Sequence, residues 1–427
     1  MWSYRTFGGG DNYNNLGSGI TVEAQTTIDK GDKFVGVKND EFVTPTVVSS
    51  NIGGTITTLS EDMSVGLGSA TISSNTNLPI YFLNEETGIY ELFNLEIGDI
   101  SSITQYKTSI STADFLINED GSCALIGYGV TKSETDCGNS VLVIDINKKN
   151  KSASYKILTD VVKQVANSGT TSEAYESKVY TIDTSWIKKQ VLFRKNIIIG
   201  TIRCYIYRKD TGAYYNTGCT LAVFKYTGDG FECVYNDIIP VGTNTQKPIY
   251  AHASQNDTTF IFVLKNSSNM MLYSFDTETM AMKYSTYLSG TTTSDVHLSK
   301  NAKYLMSSKK LYSINQTDLT VVPIIDIAYV GYPSSDGSLI ATTYGIYDSN
   351  NTKVYSVNKI PTNEYFEPNK WVSGSTINSI VPNTNAEYII SKTVSDKIES
   401  NKIYGIASES LTVGSTGNAQ LLFNTFE

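Results

Sequence analysis

The chain has 427 residues, of which 40% are hydrophobic and 11% aromatic, and its net charge is −9. This amount of apolar side chain excludes a disordered chain, because disordered sequences cannot supply material for a core of that size. An acidic chain without a cluster of Lys or Arg lacks the positive surface that binds phosphates, so we expect no nucleic-acid partner. No run approaches the ~18 apolar residues of a membrane helix, so we expect no membrane span.

The N-terminal sequence MWSYRTFGGG contains no apolar run after a basic region, so we expect no secretory signal. Residues 7–19 are rich in Gly and Asn and predict a short arm. At 20–37, two alternating segments flank a Lys-Gly-Asp turn, which predicts a β-hairpin. We therefore assign residues 1–40 to an N-terminal arm and hairpin. This hairpin, or the C-terminal tail, is expected to dock onto a partner or to close a ring of sheets.

From residue 41 to 427, one two-part phrase recurs along the chain. A strand ends in a turn of Ser, Asp, Asn or Gly, an apolar strand follows, and a later apolar strand usually closes on Asp or Asn. About seven such units can be read, and they begin at LSEDM, INEDGSCALI, FRKNIII, ASQNDTTFIFV, LSKNAKYLM, PSSDGSLIA and VPNTNAEYII.

This phrase is typical of a propeller blade, because the first strand of a blade turns tightly into buried second and third strands. The sequence therefore predicts an all-β fold: a β-propeller of about seven four-stranded blades over 41–427, preceded by the short arm and hairpin. Six or eight blades stay open, since the third unit is weak. A pair of β-sandwiches or a β-solenoid is the alternative architecture.

Residues that carry catalysis or bind metals are scarce. The two histidines, His252 and His297, both lie in apolar strands, which favours a structural role. No zinc, phosphate-loop or nucleophile motif is present. The Ser-Ser-Asp-Gly turn at 334–337 lacks the Trp of a sialidase-type Asp-box, so turn formation explains it better. We predict no catalytic residue, no cofactor and no metal site.

The chain has five cysteines, an odd number, and no CxxC pair. This favours the interpretation that they are small, buried, unpaired thiols. Disulfides between Cys123 and Cys137, or between Cys204 and Cys219, stay open as alternatives.

Aromatic residues in two predicted loops are the candidate surface contacts. Flat rings stack on sugars or on proteins at a low entropy cost, whereas packing between blades is the alternative role for each ring. The candidates are Tyr207, Tyr214, Tyr215, Tyr365, Phe366 and Trp371.

The IDKGDKFV phrase at 28–35 resembles openings of modules in tailed-bacteriophage virion proteins. The degenerate blade turns, the richness in Asn, Thr and Tyr and the lack of a signal are similar to virion proteins of crAss-like gut phages. This resemblance implies a structural component of the virion, in the tail, the hub or a fibre-associated propeller, that mediates protein–protein assembly and host attachment.

The same resemblance implies other virion proteins and a host-surface glycan as partners, together with a symmetric homo-oligomer in the particle. It also implies synthesis in the host cytoplasm and localisation in the virion after lysis. Two alternatives remain: a propeller-type polysaccharide-degrading enzyme, either a glycosidase or a lyase, and a cytosolic propeller scaffold.

Overall fold

The structure is a computed structural model. It describes residues 19–38, 45–104, 110–131, 137–159, 163–165, 175–181, 191–194, 196–208, 213–237, 250–253, 258–266, 269–288, 296–307, 309–357, 359–381, 388–392, 403–413 and 415–424. Helical structure within these ranges is confined to single turns at Ser101–Thr104 and Thr112–Asp114. No helix in the same ranges is long and apolar enough to cross a membrane. The prediction of an all-β chain is confirmed.

Two compact units divide the chain: a smaller one, 1–47 with 380–427, and a larger one, 48–379. Five strands form a closed barrel in the smaller unit, and buried Val22, Phe34 and Ile390 contribute to its core. In barrel order these strands are Gly19–Ala24, Tyr388–Lys392, Lys33–Lys38, Ile403–Ala407 and Thr416–Asn424.

The two strands of the predicted N-terminal hairpin do not pair with each other. Tyr388–Lys392 lies between them, parallel to the first and antiparallel to the second. The predicted turn is nevertheless present, since the Asp29 N–H donates to the Asp32 carboxylate at 2.9 Å and Gly31 has a φ of +89°. The hairpin prediction is therefore wrong, because each strand pairs with a strand from the other end of the chain.

The boundary predicted at residues 40 and 41 also differs from the structure. The sequence of the seventh predicted unit contributes Tyr388–Lys392 and Ile403–Ala407 to the barrel rather than to a propeller blade. The smaller unit thus takes strands from both ends of the chain, and the larger unit ends at residue 379.

Successive antiparallel sheets form the larger unit, and within most of them the strands follow one another in chain order. We number these sheets 1 to 7. Sheet 1 contains Ile56–Leu59, Val65–Gly68, Thr76–Asn84 and Ile89–Ile97; sheet 2, Leu116–Ile117, Cys123–Thr131, Cys137–Asn147 and Ser152–Thr159; sheet 3, Lys163–Val165, Tyr175–Thr181, Val191–Arg194, Ile197–Arg208, Ala213–Tyr226 and Phe231–Asp237; sheet 4, Tyr250–Ala253, Thr259–Asn266, Asn269–Asp276 and Ala281–Leu288; sheet 5, Val296–Leu298, Tyr304–Ser307, Lys310–Ile314 and Val321–Asp326; sheet 6, Gly331–Pro333, Leu339–Thr342, Gly345–Asp348 and Lys353–Tyr355; and sheet 7, Trp371–Ser373, Thr376–Val381 and Thr46–Asn51. A separate two-stranded sheet pairs Thr71–Ile72 with Ile110–Ser111.

Neighbouring sheets share buried apolar cores. Leu67 of sheet 1 and Leu142 of sheet 2 belong to one cluster. Val372 of sheet 7 packs in another cluster with Ile56 and Tyr81 of sheet 1. The first and last sheets of the larger unit are therefore neighbours. Thr46–Asn51, and not the predicted hairpin or the tail, completes sheet 7.

The turn between the first and second strands repeats with one geometry in sheets 1, 2, 5 and 6. In sheet 6, the Ser334 hydroxyl donates to the Asp336 carboxylate at 2.5 Å and accepts the Leu339 N–H at 3.1 Å. The Asp336 carboxylate also accepts the Ser338 N–H at 2.9 Å. Matching hydrogen bonds close the turns that begin at Ser60, Asn118 and Ser299. The predicted polar turn is confirmed.

Candidate functional site

The turns between first and second strands meet at one end of the larger unit. The Asp62 N–H of sheet 1 donates to the Glu119 carbonyl of sheet 2 at 3.0 Å. The Asn301 amide of sheet 5 donates to the Ser335 carbonyl of sheet 6 at 2.8 Å. Several charged or ionisable side chains converge at this end and define what we call the polar cluster: Glu61, Arg194, Lys300, Tyr365 and Glu367.

An ion pair between Glu61 and Arg194 lies at the centre of the polar cluster. The Arg194 guanidinium donates to the Glu61 carboxylate at 2.8 Å, and the two side chains are only 10% and 13% exposed, respectively. The Lys300 ammonium donates to the Glu61 carbonyl at 3.2 Å. Glu61 belongs to the turn of sheet 1, whereas its partners come from sheets 3 and 5, so this turn connects sheets that are not sequential neighbours.

Tyr365 and Glu367 come from the segment that links sheets 6 and 7. Burial raises the pKa of Tyr365 well above its usual range, and the Glu61 carboxylate adds to this rise. Burial also raises the pKa of Glu367, although a hydrogen bond from the Ser335 hydroxyl and the charge of Lys300 partly offset the effect. The end of the unit therefore contains a protonated phenol and a carboxyl group with a raised affinity for its proton.

A carboxyl group with a raised pKa next to an ionised carboxylate is the arrangement used by many glycosidases. Here the ionised carboxylate near Glu367 is Asp336, and it accepts hydrogen bonds from the Ser334 hydroxyl and the Ser338 N–H within its own turn. The geometry therefore favours a structural role for this carboxylate, because an enzyme would need it to face a substrate or a water.

Both histidines were predicted to have a structural role, and the structure describes the side chain of one of them, His297. His297 is 9% exposed, and its ring centroid lies 4.0 Å from that of Tyr332, so it packs between sheets 5 and 6. The side chain of His252 lies outside the described part of the chain. Within that part, no group of three or more His, Cys, Asp or Glu residues is placed to hold a metal ion.

Cys123 is a free, buried thiol. It lies opposite Asp145 at one end of the hairpin of sheet 2, whereas Cys137 lies opposite Thr131 at the other end. The Cys123–Cys137 disulfide that the sequence left open is therefore not formed. The side chains of Cys204 and Cys219 are not among those described.

Two of the predicted surface aromatics are buried. Phe366 is 0% and Trp371 is 1% exposed, and their rings form an edge-to-face pair at 5.1 Å. The indole N–H of Trp371 donates to the Lys359 carbonyl at 2.8 Å. Their prediction as surface contacts is therefore wrong, because both rings pack inward beside sheet 7. Tyr365, which is half-buried, belongs to the polar cluster.

The other three predicted contact residues lie in a long hairpin of sheet 3. Its strands are Ile197–Arg208 and Ala213–Tyr226, in which Tyr207 lies opposite Tyr214 and Tyr215 lies opposite Ile206. Tyr207, Tyr214 and Tyr215, which the sequence analysis assigned to a loop, therefore lie in the two strands of this hairpin. The side chains of these tyrosines lie outside the described residues, and their role as surface contacts stays a prediction.

An aromatic pair that the sequence analysis missed lies at the opposite end of the sheets. Tyr344 is 59% exposed and stacks on Tyr329, with ring centroids 4.2 Å apart and an interplanar angle of 31°. Tyr344 precedes the third strand of sheet 6, and Tyr329 lies in the link from sheet 5 to sheet 6. Because the strands alternate in direction, these connections lie away from the turns of the polar cluster. The Tyr-Gly pair between two short apolar strands was the available sequence signal.

Apolar side chains are exposed on the outer strands of several sheets. Outer strands carry unpaired backbone groups, so apolar residues there favour contact with another chain. The residues on outer strands are Ile89 (59% exposed) and Leu92 (55%) in sheet 1, Val322 (52%) and Ile324 (45%) in sheet 5, Val354 (41%) in sheet 6 and Val48 (46%) in sheet 7.

Together these features define the class: an all-β protein of successive blade-like sheets with an internally paired polar end and an aromatic pair at the opposite end. No family model and no curated protein matches the chain.

The chain is similar, at low sequence identity, to several solved structures, including the following three. The β-propeller domain of Cps50 (Swd1) from Myceliophteria thermophila is 8% identical, with a TM-score of 0.39, over 78% of this chain and 98% of that one. A protein from Lactobacillus plantarum is 9% identical, with a TM-score of 0.34, over 84% and 98%. The periplasmic gluconolactonase PpgL of Pseudomonas aeruginosa is 10% identical, with a TM-score of 0.30, over 68% and 94%. At these scores, no fold detail and no activity is carried over to this chain.

Proposed function

We propose that the larger unit is a β-propeller of seven blades, with sheets 1 to 7 as the blades. The shared core of sheets 7 and 1 supports a closed ring. The contacts of Glu61 with Arg194 and Lys300 also support it, because in a ring they reach across the centre from sheet 1 to sheets 3 and 5.

The chain acts, in this proposal, as a structural component of a tailed-bacteriophage virion that assembles with other virion proteins and contributes to host attachment. The observation that carries the assembly role is the set of apolar side chains on outer strands, above all Ile89 and Leu92 on the nine-residue strand Ile89–Ile97. A long outer strand with exposed apolar residues is an aggregation hazard in an isolated chain, and a partner in an assembly covers it. The internally paired polar cluster supplies rigidity.

The virion assignment is tested on particles from a lysed host culture, banded in a density gradient and analysed by quantitative peptide mass spectrometry. We expect the chain to band with the particles at a fixed ratio to the major capsid protein. Its absence from banded particles contradicts the proposal. In that case, a monomer found with cellular proteins supports the cytosolic scaffold, and release of sugar from host polysaccharide supports the enzyme.

The role of the outer strand is tested by complementation with two variants. Leu92→Asp places a charge among the exposed apolar residues and is expected to reduce incorporation into particles. Glu96→Gln, a matched control on an exposed position of the same strand, is expected to leave incorporation unchanged. Equal incorporation of both variants would mean that this strand makes no contact in the particle.

A further inference from the structure

Tyr329 and Tyr344 form an aromatic surface that is not fully buried when the larger unit folds. Tyr344 is 59% exposed although its ring lies against Tyr329 at 4.2 Å. Tyr347, which is 7% exposed, contacts Tyr329, with ring centroids 5.6 Å apart. Tyr344 thus packs on Tyr329, which in turn contacts the buried Tyr347, while much of Tyr344 stays exposed to solvent.

Hydrogen bonds order the backbone that carries the two tyrosines. The Thr342 hydroxyl accepts the Tyr344 N–H at 3.1 Å and donates to the Gly345 carbonyl at 2.8 Å. Gly345 has a φ of +139°, and a Cβ there would lie 2.4 Å from the Tyr355 carbonyl oxygen. This turn therefore requires glycine.

The segment that carries Tyr329 is held as well. The N–H of Ala328 donates to the Asn351 side chain at 2.9 Å. A backbone that is already ordered loses little entropy on binding, which favours recognition by a small surface.

We infer that Tyr329 and Tyr344 form a platform that binds a pyranose ring of a host-surface glycan, an inference that rests on the proposed role in attachment. The C–H face of a sugar ring is apolar and flat, and it stacks on an aromatic face while its hydroxyls stay hydrated. The exposed Thr343, next to Tyr344, and the two phenol groups supply hydrogen-bonding groups at the rim.

The size and charge of this surface argue against other ligands. A stable protein interface buries about 800 Å² on each partner. Tyr344 is the one large exposed apolar side chain described at this end of sheet 6. Stacking of nucleic-acid bases is accompanied by a basic groove for phosphates, whereas this chain has a net charge of −9. A single sugar ring needs only one or two aromatic rings to stack on, so it fits this small surface better than a protein or a nucleic acid does.

The test uses the full chain on a printed array of defined oligosaccharides and bacterial surface polysaccharides, followed by saturation-transfer NMR with methyl pyranosides. We expect binding to at least one pyranose, with the strongest transfer to the C–H protons of one ring face. Tyr344→Ala is expected to weaken it roughly tenfold, and Tyr344→Phe, which keeps the ring, is expected to retain most of it.

Leu92→Ala is the matched control, because it removes another exposed apolar side chain, far along the chain in sheet 1. It is expected to leave sugar binding unchanged. No binding to any glycan, or equal binding by the wild type and Tyr344→Ala, would overturn the inference. Incorporation into particles is measured separately, so a chain that enters particles without binding sugar refutes this inference alone. A chain that binds sugar through Tyr344 but is absent from particles refutes the virion assignment alone.

Discussion

The carboxylate of Glu61 and the guanidinium of Arg194 lie 2.8 Å apart, although the two residues are separated by 133 positions in the chain. Sheet 2 lies between their sheets in sequence and shares apolar cores with both. The ion pair therefore connects sheets 1 and 3 directly, past the sheet between them. With little solvent at either side chain, each charge stabilises the other.

Removal of one partner is expected to be costly. Glu61→Gln removes the carboxylate that pairs with the nearly buried Arg194 charge, and we expect a loss of about 3–5 kcal/mol in the free energy of unfolding. Urea denaturation followed by circular dichroism measures this loss. Lys148→Gln is the control, because Lys148 pairs with Asp62 at a site that is 39–40% exposed, where the loss is expected to be below about 1 kcal/mol.

A paired apolar replacement separates the charge effect from the packing effect. Glu61→Leu combined with Arg194→Met removes both charges together, and we expect it to recover most of the stability lost in Glu61→Gln. A double variant that is no more stable than the single one would show that these side chains stabilise the larger unit through contacts other than their mutual ion pair.

The repeated turn predicts that Asp336 stabilises the fold as a hydrogen-bond acceptor. Asp336→Ala removes the acceptor for Ser334 and Ser338 and is expected to lower the free energy of unfolding by about 1–2 kcal/mol. Asp336→Asn is expected to cost less, because Asn301 already fills the same position in the turn of sheet 5. Thermal melts of the two variants give the comparison, and an equal loss in both would refute this role.

The acidic turns also predict a dependence of stability on pH. Burial raises the pKa of Asp62 and of Asp336, but hydrogen bonds from neighbouring serines outweigh it, so both pKa values lie below the usual range. Carboxyl groups of this kind stabilise the fold above their unfolded pKa of about 3.9. That stability is lost as the pH falls through their folded pKa values.

We therefore expect the double variant Asp62→Asn, Asp336→Asn to lose less stability than the wild type when the pH falls from about 5 to about 2. Glu367 has the opposite sign, because its raised pKa reduces stability as the pH rises above about 4.3. Because the charge of Asp336 contributes to that raised pKa, Glu367 is replaced by Gln in both proteins, so that its titration does not enter the comparison. Denaturation curves at each pH make the measurement, and parallel pH profiles would contradict the assignment.

Gly337 is expected to tolerate a side chain poorly. Its φ is +71°, and a Cβ would lie 2.5 Å from the ring of Tyr304. Gly88, with a φ of +67° and no atom within 4 Å, is the matched control. Gly88→Ala is expected to cost about 1 kcal/mol from backbone strain alone, and Gly337→Ala clearly more. Equal losses in the free energy of unfolding would show that the Tyr304 contact does not matter.

Local patterns in the sequence predicted local structure well. The Ser-Ser-Asp-Gly phrase that begins at Ser334 predicted a tight turn, and its hydrogen bonds depend only on residues within five positions of each other. The Asp or Asn that closes a third strand was predicted in the same way. Asp276, for example, accepts the N–H groups of Glu278 and Thr279 at 2.9 Å.

Pairings between distant segments were not predictable in this way. The N-terminal strands pair with strands from the C-terminal end, and no local pattern distinguishes this barrel from a hairpin. The same limit applies to the polar cluster. Glu61 and Arg194 are ordinary charged residues in their own segments, and only the packing of sheets 1 to 3 brings them together. Burial of Phe366 and Trp371 likewise depends on sheet 7, which includes the strand Thr46–Asn51 from the other end of the larger unit's sequence.

A cryo-electron-microscopy map of the chain in its particle, at a resolution that separates strands and side chains, tests the central claim most directly. We predict seven sheets in a closed ring, with the side chains of Glu61 and Arg194 in contact across its centre and Thr46–Asn51 completing the last blade. An open arc of sheets, a different number of blades, or a Glu61 turn that faces solvent would contradict this account.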